Sequence, residues 1–256
     1  MPFFIGEDSA YYDGIARRGI CVSYHISISR NMTRTTTRFL NFERLQARGA
    51  GATTVIKLMM ACNDLSLANQ SLSVWKQELP SGMKARQTGA GMYFVRTQLA
   101  HLHEGLKVIK EIKNDPQLMA LIARCDDQTQ QSFKELEQFL SGAPKRCEFE
   151  KLVGRIRHNL TFHYDESGKL IEQAVVDRSA RPEARTSSIT RGNSAYLWHF
   201  KVADDIIDSI VVRQIWNIPR DKDLRSEADR IADRVHEIFL WFVDFSGEFI
   251  WKYCES

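Results

Sequence analysis

The sequence predicts an all-α protein, an antiparallel helical bundle with a small N-terminal appendage. Apolar residues recur at helical spacing over most of residues 51–256, and glycine and proline interrupt that spacing only at short connections. Near the C-terminus the apolar spacing persists long enough to predict one long helix. Residues 1–50 lack this pattern. We therefore predict an N-terminal appendage over 1–50 and a helical domain over 51–256.

The appendage is predicted to contain one strand and one short helix. Residues 20–29 alternate between apolar and polar side chains, which is typical of a strand, although no pairing partner is evident. Residues 35–48 are predicted to form a short helix with Phe39, Phe42 and Leu45 facing inward. Glycines at 49 and 51 then end it.

The first half of the helical domain contains a central helix. Residues 84–113 carry two apolar stripes on different faces, so this helix is predicted to pack on two sides. A first helix extends to about residue 79, and the dipeptide Asp115-Pro116 indicates the start of another. Two shorter helices are predicted over 116–124 and 127–141. The stripes of the central helix are Met92, Val95, Leu99, Leu102, Leu106 and Ile109, and Phe94, Val108 and Ile112.

The second half contains three more predicted helices and a loop. Residues 148–164 are amphipathic, 179–195 form a polar surface loop, and a helix spans 196–216. The last helix carries an apolar seam with alternating steps of four and three residues, which is the spacing of a face that binds a neighbouring helix. The seam consists of Leu224, Ala228, Ile231, Val235, Ile238, Phe242, Phe245 and Phe249.

Composition predicts a cytoplasmic protein without a membrane span. Hydrophobic residues make up 43% and charged residues 26% of the chain, with a net charge of +3. A membrane span needs about 20 apolar residues in a row, and none is present. The N-terminus lacks the basic and long apolar regions of a signal peptide. The five cysteines, an odd number without paired spacing, indicate free thiols in a reducing compartment.

Common catalytic motifs are absent from the sequence, and we predict neither a metal nor a cofactor. There is no Gly-rich phosphate loop, GxSxG, HExxH or CxxC motif. Asp204, Asp205 and Asp208 form a DDxxD pattern, in which carboxylates on one helix face can share Mg²⁺. A solvated acidic face, opposite an apolar face that includes Phe200 and Ile210, is the interpretation we favour over a Mg-dependent enzyme.

The segment Arg157 to Asp165, RHNLTFHYD, is the strongest candidate for a functional site. On a helix over 148–164, Arg157 and His163 lie on opposite edges of the apolar stripe, near the helix C-terminus. Asn159 lies one turn before His163. A packing histidine is the simpler alternative. Other Arg–His pairs have similar spacing. Only in this pair is the arginine followed by a polar residue, while the histidine lies near a predicted helix end between aromatic residues.

An Arg–His pair of this kind is suited to RNA cleavage without a metal. Histidine titrates near neutral pH, so it can move the proton of a ribose 2′-hydroxyl or of the leaving 5′-oxygen. A guanidinium offers planar donors to the charged phosphorane that forms between these steps. RNA supplies its own nucleophile, so the protein needs only to position the substrate and supply these groups.

The motif and its surroundings resemble the HEPN superfamily. The signature of that superfamily is Arg, four to six residues, then His, often with Asn, Asp or His after the Arg. Here Arg157 is followed by His158, and His163 closes an R-x5-H motif within LVGRIRHNLTFHYD. The run MYFVRTQLAHLHEGLK at 92–107 is similar to the preceding core helix of such proteins. The resemblance covers residues 52–165.

The resemblance implies a metal-independent endoribonuclease of a toxin–antitoxin or phage-defence system. RNA would then be the substrate, and an antitoxin or defence-system protein a partner. The alternative is a non-catalytic HEPN-like module that binds a nucleotide or a protein. In the superfamily, two protomers commonly place their motifs across a shared cleft, which implies a homodimer.

Further residues are candidates for substrate binding. Arg96 and His103 share one face of the central helix and would line the motif's groove if that helix packs on 148–164. His158 and Asn159 lie within the motif itself. Arg185 belongs to the basic loop and is suited to contact phosphate. For Arg96 and His103, the simpler alternative is a pair on the helix surface with Glu104 balancing nearby lysines.

The C-terminal helix predicts a second location for a dimer interface. Trp241 and Trp251 lie off the apolar seam of that helix and widen its apolar surface. Apolar surface that one intramolecular stripe does not cover commonly marks a partner contact. The helix and the motif are therefore alternative places for the interface.

Overall fold

The chain divides into two compact units, residues 1–53 and 54–256. The computed structural model describes residues 24–26, 35–76, 87–154, 156, 167–182, 185–191, 193, 199–219 and 224–255. Nearly all of the helical structure falls in the second unit.

The first unit contains a small antiparallel strand pair. Strand β1 (Tyr24–Ile26) pairs with β2 (Thr35–Thr37), with Tyr24 opposite Thr37. The predicted strand is thus confirmed in its middle portion. Its partner is a run of threonines, and the prediction of a helix from residue 35 is wrong there because β-branched side chains favour extended chain.

The short helix of the first unit begins later than predicted. Helix α1 (Phe42–Ala47) starts after Asn41, whose side chain accepts a hydrogen bond from the Arg44 N–H at 3.0 Å. Phe39 and Phe42 are 44% and 85% exposed, so the prediction that they face inward is wrong. Gly49 has φ of +66°, a left-handed conformation that ends the helix at low cost.

The second unit confirms the all-α prediction. Long helices dominate its described part, and the one strand pair there is two residues long. Two π-helical segments, Glu150–Gly154 and Ile210–Ile215, continue helices α6 and α8. The helices are α2 (Ala50–Lys76), α3 (Gln87–Lys113), α4 (Pro116–Ile122), α5 (Asp127–Glu137), α6 (Arg146–Phe149), α7 (Lys169–Ser179), α8 (Lys201–Ser209) and α9 (Leu224–Glu255).

Two helix starts follow directly from local sequence. The Asp115 side chain accepts hydrogen bonds from the N–H groups of Gln117 and Leu118 at 2.8 and 3.1 Å, and Pro116 occupies the first turn of α4. Asp126 caps α5 in the same way, accepting from the Thr129 N–H at 2.8 Å. These bonds satisfy N–H groups that have no partner within the helix.

Helix α3 is central, as predicted. It contacts α4, α5, α8, α9 and the π-helical segment 150–154. Its approach to α9 is close at Gly105, where a methyl group would lie 2.7 Å from the Phe242 ring. The side chains on its two stripes that are fully buried are Leu99, Leu102, Leu106, Ile109 and Ile112.

The C-terminal half of the seam of α9 is buried. Ile238, Phe242, Phe245 and Phe249 are fully buried, and α9 packs chiefly on α5. Trp241 contacts the Phe139 ring within the chain, at a centroid distance of 6.3 Å. That Trp241 and Trp251 widen the apolar surface of α9 for a partner stays a prediction.

The region 167–216 differs most from the prediction. Helix α7 was not predicted, and the predicted loop contains strand β3 (Ile189–Thr190), which pairs antiparallel with β4 (His199–Phe200). The helix predicted from residue 196 begins at Lys201, because His199 and Phe200 are strand residues. We call β3 and β4 together the ribbon.

Among the described residues, no helix combines the length and the apolar character that crossing a membrane requires.

Candidate functional site

The motif residues Arg157, His158, Asn159 and His163 lie outside the described residues. The described residues nearest to the motif on its N-terminal side are Gly154 and Ile156. The described parts of the candidate site are therefore the segment that leads into the motif and the central helix α3, which contacts that segment.

Arg96 and His103 lie inside the protein rather than on a helix surface. They are 8% and 7% exposed, and both belong to α3. The His103 ring stacks on Phe149 at a centroid distance of 6.0 Å and an interplanar angle of 19°. The surface-pair alternative is therefore wrong. Arginine side chains are mostly exposed in proteins, so the burial of Arg96 is unusual.

The segment that leads into the motif packs on α3. Phe149, Val153 and Ile156 are fully buried, which agrees with the predicted apolar stripe of 148–164. The π-helical segment 150–154 contacts α3 directly. π-Helical turns are rare and occur frequently at functional sites. The expected packing of the central helix on the start of 148–164 is thus present.

Charged side chains hold this segment in place. Arg146 forms an ion pair with Glu150, donates to the Phe139 carbonyl at 3.3 Å and lies 5.7 Å from the Phe149 ring centroid. On the other side, Arg234 of α9 donates to Glu148 at 2.7 Å, and this bond raises the pKa of Arg234. The segment is therefore tied to two other parts of the bundle.

The other polar residues on this part of α3 form ion pairs nearer the surface. Lys107 binds Glu104 at 2.7 Å, and the same carboxylate lies 3.5 Å from His103 Nδ1. His101 is half-buried and lies 3.6 Å from Asp64 of α2. His101 therefore faces a carboxylate at the α2–α3 contact.

The carboxylates of α8 do not form a solvated face. Asp204 pairs with His199 Nε2 at 2.9 Å and packs so closely on Gly89 of α3 that a methyl group there would overlap its carboxylate. Phe200, predicted to face inward, is instead 48% exposed. The three carboxylates of α8 are each partly exposed, and cationic side chains pair with Asp204 and Asp205.

Asp205 has the most partners of these carboxylates. It accepts hydrogen bonds from Lys201 at 2.6 Å and from the Ser187 hydroxyl, and Arg178 Nη2 lies 3.5 Å from it. Arg178 also donates to the Asp205 carbonyl at 3.3 Å. Burial raises the pKa of Asp205, but the hydrogen bonds from Lys201 and Ser187 and the charge of Arg178 outweigh it, so the net pKa is lowered.

The pKa of Asp208 shifts in the opposite direction to that of Asp205. Burial is the main influence and raises the pKa of Asp208, although the charge of Arg178 acts against it. Within the described residues, no group of three or more His, Cys, Asp or Glu side chains converges as a metal site requires. The α8 carboxylates are held separately by protein cations.

We predict that removing the charge of Asp205 and removing the charge of Asp208 have different effects on the free energy of unfolding. Asp205→Asn should lower the free energy of unfolding at pH 7 by about 1–2 kcal/mol, because it removes a charged acceptor. Asp208→Asn should leave that free energy unchanged or raise it, because folding raises the pKa of Asp208 and so disfavours its charge. Urea unfolding of both variants at pH 7 measures this.

The Asp205 effect has a defined pH dependence. Because folding lowers the pKa of Asp205, its contribution is present above the ordinary aspartate pKa of about 4 and is lost as pH falls through the lower folded value. Equal losses in Asp205→Asn and Asp208→Asn at pH 7 would contradict this assignment.

Arg185 is exposed and lies near β3 in sequence, whereas Arg178 is largely buried. The Arg185 Nε donates to the Ser179 carbonyl at 3.1 Å, which fixes the base of its guanidinium. Arg178 is only 19% exposed and is bound to Asp205. Arg185, the predicted phosphate contact, therefore keeps its surface position.

Comparison with known proteins yields no match. No family model, no curated protein and no solved structure is significantly similar to this chain.

Proposed function

We propose that the chain is a HEPN-like, metal-independent endoribonuclease in which Arg157 and His163 act on RNA. The observation that carries the proposal is the burial of His103, which stacks on Phe149 in the segment that leads into the motif, together with the burial of Arg96 on the same helix. Arginine is mostly exposed in proteins and histidine is intermediate, so the burial of both on α3 is the feature that a functional role would explain.

The proposed chemistry needs few groups. His163 moves a proton at the 2′-hydroxyl or at the leaving 5′-oxygen, and Arg157 stabilises the charge on the phosphorane. Arg96 and His103 bind the substrate from the α3 side, through the small part of each side chain that remains exposed. His158, Asn159 and Arg185 contact the substrate around these groups.

The proposed biological setting follows from the HEPN resemblance. Such an enzyme acts in the cytoplasm as a toxin or in defence against phage, with an antitoxin or defence-system protein as partner. A homodimer would place two motifs across one cleft. The resemblance would place that interface beside Arg157 and His163, and the apolar surface of α9 is the alternative.

The metal-independent mechanism predicts cleavage in the presence of EDTA. Histidine and arginine suffice for attack by the 2′-hydroxyl, so the rate of RNA cleavage should be unchanged by chelation. The measurement is a cleavage time course on labelled single-stranded RNA with EDTA or with added Mg²⁺. Loss of activity in EDTA and its rescue by Mg²⁺ would contradict the proposal. Asp205→Asn would then test the α8 carboxylates.

A further inference from the structure

Arg234 of α9 binds the segment that leads into the motif. Its Nε and Nη2 atoms donate to the two carboxylate oxygens of Glu148 at 2.7 and 3.4 Å. An arginine that donates to both oxygens of one carboxylate fixes the orientation of that group as well as its distance. The two residues are 86 positions apart in the sequence, so the ion pair connects the segment to a separate helix.

The guanidinium of Arg234 is itself held by further contacts. Its Nη1 donates to Glu237 at 2.6 Å, and the group lies 5.6 Å from the Phe139 ring centroid and 5.7 Å from that of Trp241. An isolated surface ion pair stabilises a protein only a little, because its formation orders two long side chains. Arg234 is 25% exposed and already ordered by these contacts, so Glu148 meets a partner whose position is fixed beforehand.

Glu148 lies two positions before the π-helical segment 150–154. A second carboxylate, that of Glu150, begins this segment and forms an ion pair with Arg146. Gly154 ends the segment, and a methyl group at Gly154 would overlap the Glu150 carboxylate. Two carboxylates held by arginines therefore lie at the start of the π-helical turn, and one of them also covers its end.

The conformation of a π-helical turn determines the direction of the residues that follow it in a helix. Its hydrogen bonds span one residue more than those of an α-helix. One residue of an α-helix corresponds to about 100° of rotation, so loss of the extra residue would turn every later position to a different face. The sequence predicts a helix that continues to residue 164 and carries the motif. The contacts that hold residues 150–154 therefore bear directly on the motif.

We propose that Arg234 is a positioning residue which, through Glu148, sets the orientation in which Arg157 and His163 meet RNA. The catalytic part of this inference rests on the proposed function. A contribution to stability alone is the simpler alternative. However, the packing of α9 on α5 is provided by buried phenylalanines such as Phe245, so α9 does not depend on this ion pair. Loss of Arg234 should affect the motif more than the stability of the fold.

The first test is kinetic. Arg234→Gln should lower kcat for cleavage of a labelled single-stranded RNA by about 10- to 100-fold, the order of effect that a displacement of about 1 Å produces. KM should be unchanged, because Arg234 does not touch the substrate. Glu148→Gln should give the same loss. The double variant should lose no more than either single variant, because both substitutions remove one shared interaction.

The second test is amide hydrogen exchange, which does not depend on activity. Peptides that cover residues 150–165 should exchange about tenfold faster in Arg234→Gln, the change expected when a charge-assisted hydrogen bond no longer opposes local opening. Peptides from α5 should be unchanged. The matched control for both tests is Lys113→Gln, which removes a 3.0 Å ion pair with Glu137 between α3 and α5. It should cleave RNA and exchange over 150–165 like the parent.

The positioning role and the ribonuclease can fail separately. Unchanged exchange over 150–165, additive losses of kcat in the double variant, or equal effects in Lys113→Gln would overturn the role of Arg234. Faster exchange with an unchanged kcat in a protein that cuts RNA would do so too. A parent that cuts no RNA would contradict the proposed function, and faster exchange in Arg234→Gln would then still support the link between Arg234 and the segment.

Discussion

Replacing His163 with Ala is expected to reduce RNA cleavage by about 100- to 10,000-fold, the usual contribution of a positioned general acid or base. The same order of loss is expected for Arg157→Ala, because the phosphorane charge then lacks its guanidinium. Initial rates on a labelled single-stranded RNA measure both. Circular dichroism of each variant should match that of the parent, since neither substitution removes an apolar core side chain.

The chain supplies a matched control for these variants. Arg230 and His236 of α9 have the same five-residue spacing as Arg157 and His163. Both are exposed, and the His236 ring stacks on Phe239 at 5.9 Å. Arg230→Ala and His236→Ala should therefore cleave like the parent. Parent-like cleavage by His163→Ala would contradict the catalytic assignment, as would an equal loss in His236→Ala.

Replacing Phe245 with Ala is expected to lower the free energy of unfolding by about 3–5 kcal/mol. Phe245 is fully buried at the α5–α9 contact, with its ring centroid 5.0 Å from that of Phe133 and 5.1 Å from that of Phe249. The substitution removes apolar contacts and leaves a cavity. For a unit of this size, the melting temperature should fall by about 2–4 °C for each kcal/mol lost.

The matched control for this prediction is Leu240→Ala on the same helix. Leu240 is 43% exposed, so its truncation should change the free energy of unfolding by less than about 1 kcal/mol. Urea unfolding and thermal melting measure both variants. If Phe245→Ala is no less stable than Leu240→Ala, the packing of α9 on α5 is not as described.

The helical core could be predicted from the sequence because its signals are local. Asp115-Pro116 fixes the start of α4 through hydrogen bonds to adjacent N–H groups. The apolar seam of α9 continues over many turns, and its members from Ile238 to Phe249 are buried as predicted. Such patterns need no knowledge of the rest of the fold, because helix faces and caps depend on residues a few positions apart.

The ribbon and the pairing of the α8 aspartates could not be predicted in this way. The pairing of Ile189 with Phe200 joins residues eleven positions apart, and two-residue strands have no periodicity to detect. Asp204 and Asp205 are only partly exposed because His199, Lys201 and Arg178 pair with them. An acidic helix face is ordinarily solvated, so tertiary ion pairs overrode the local pattern.

The candidate site was predictable in part. The shared helix face of Arg96 and His103 follows from their spacing of seven residues. The burial of His103 does not, because it depends on contact between α3 and the segment around Phe149. The spacing of Arg157 and His163 is read directly from the sequence, and their proposed roles follow from the chemistry of the two side chains.

The most direct test of the proposed mechanism is the chemical identity of the RNA ends after cleavage. Attack by the 2′-hydroxyl forms a bond from the 2′-oxygen to phosphorus and breaks the bond to the 5′-oxygen, which leaves with a proton. The products should therefore carry a 2′,3′-cyclic phosphate and a 5′-hydroxyl, identified by mass spectrometry of a defined oligonucleotide cut in EDTA. Products with a 3′-hydroxyl and a 5′-phosphate would contradict metal-independent cleavage by Arg157 and His163.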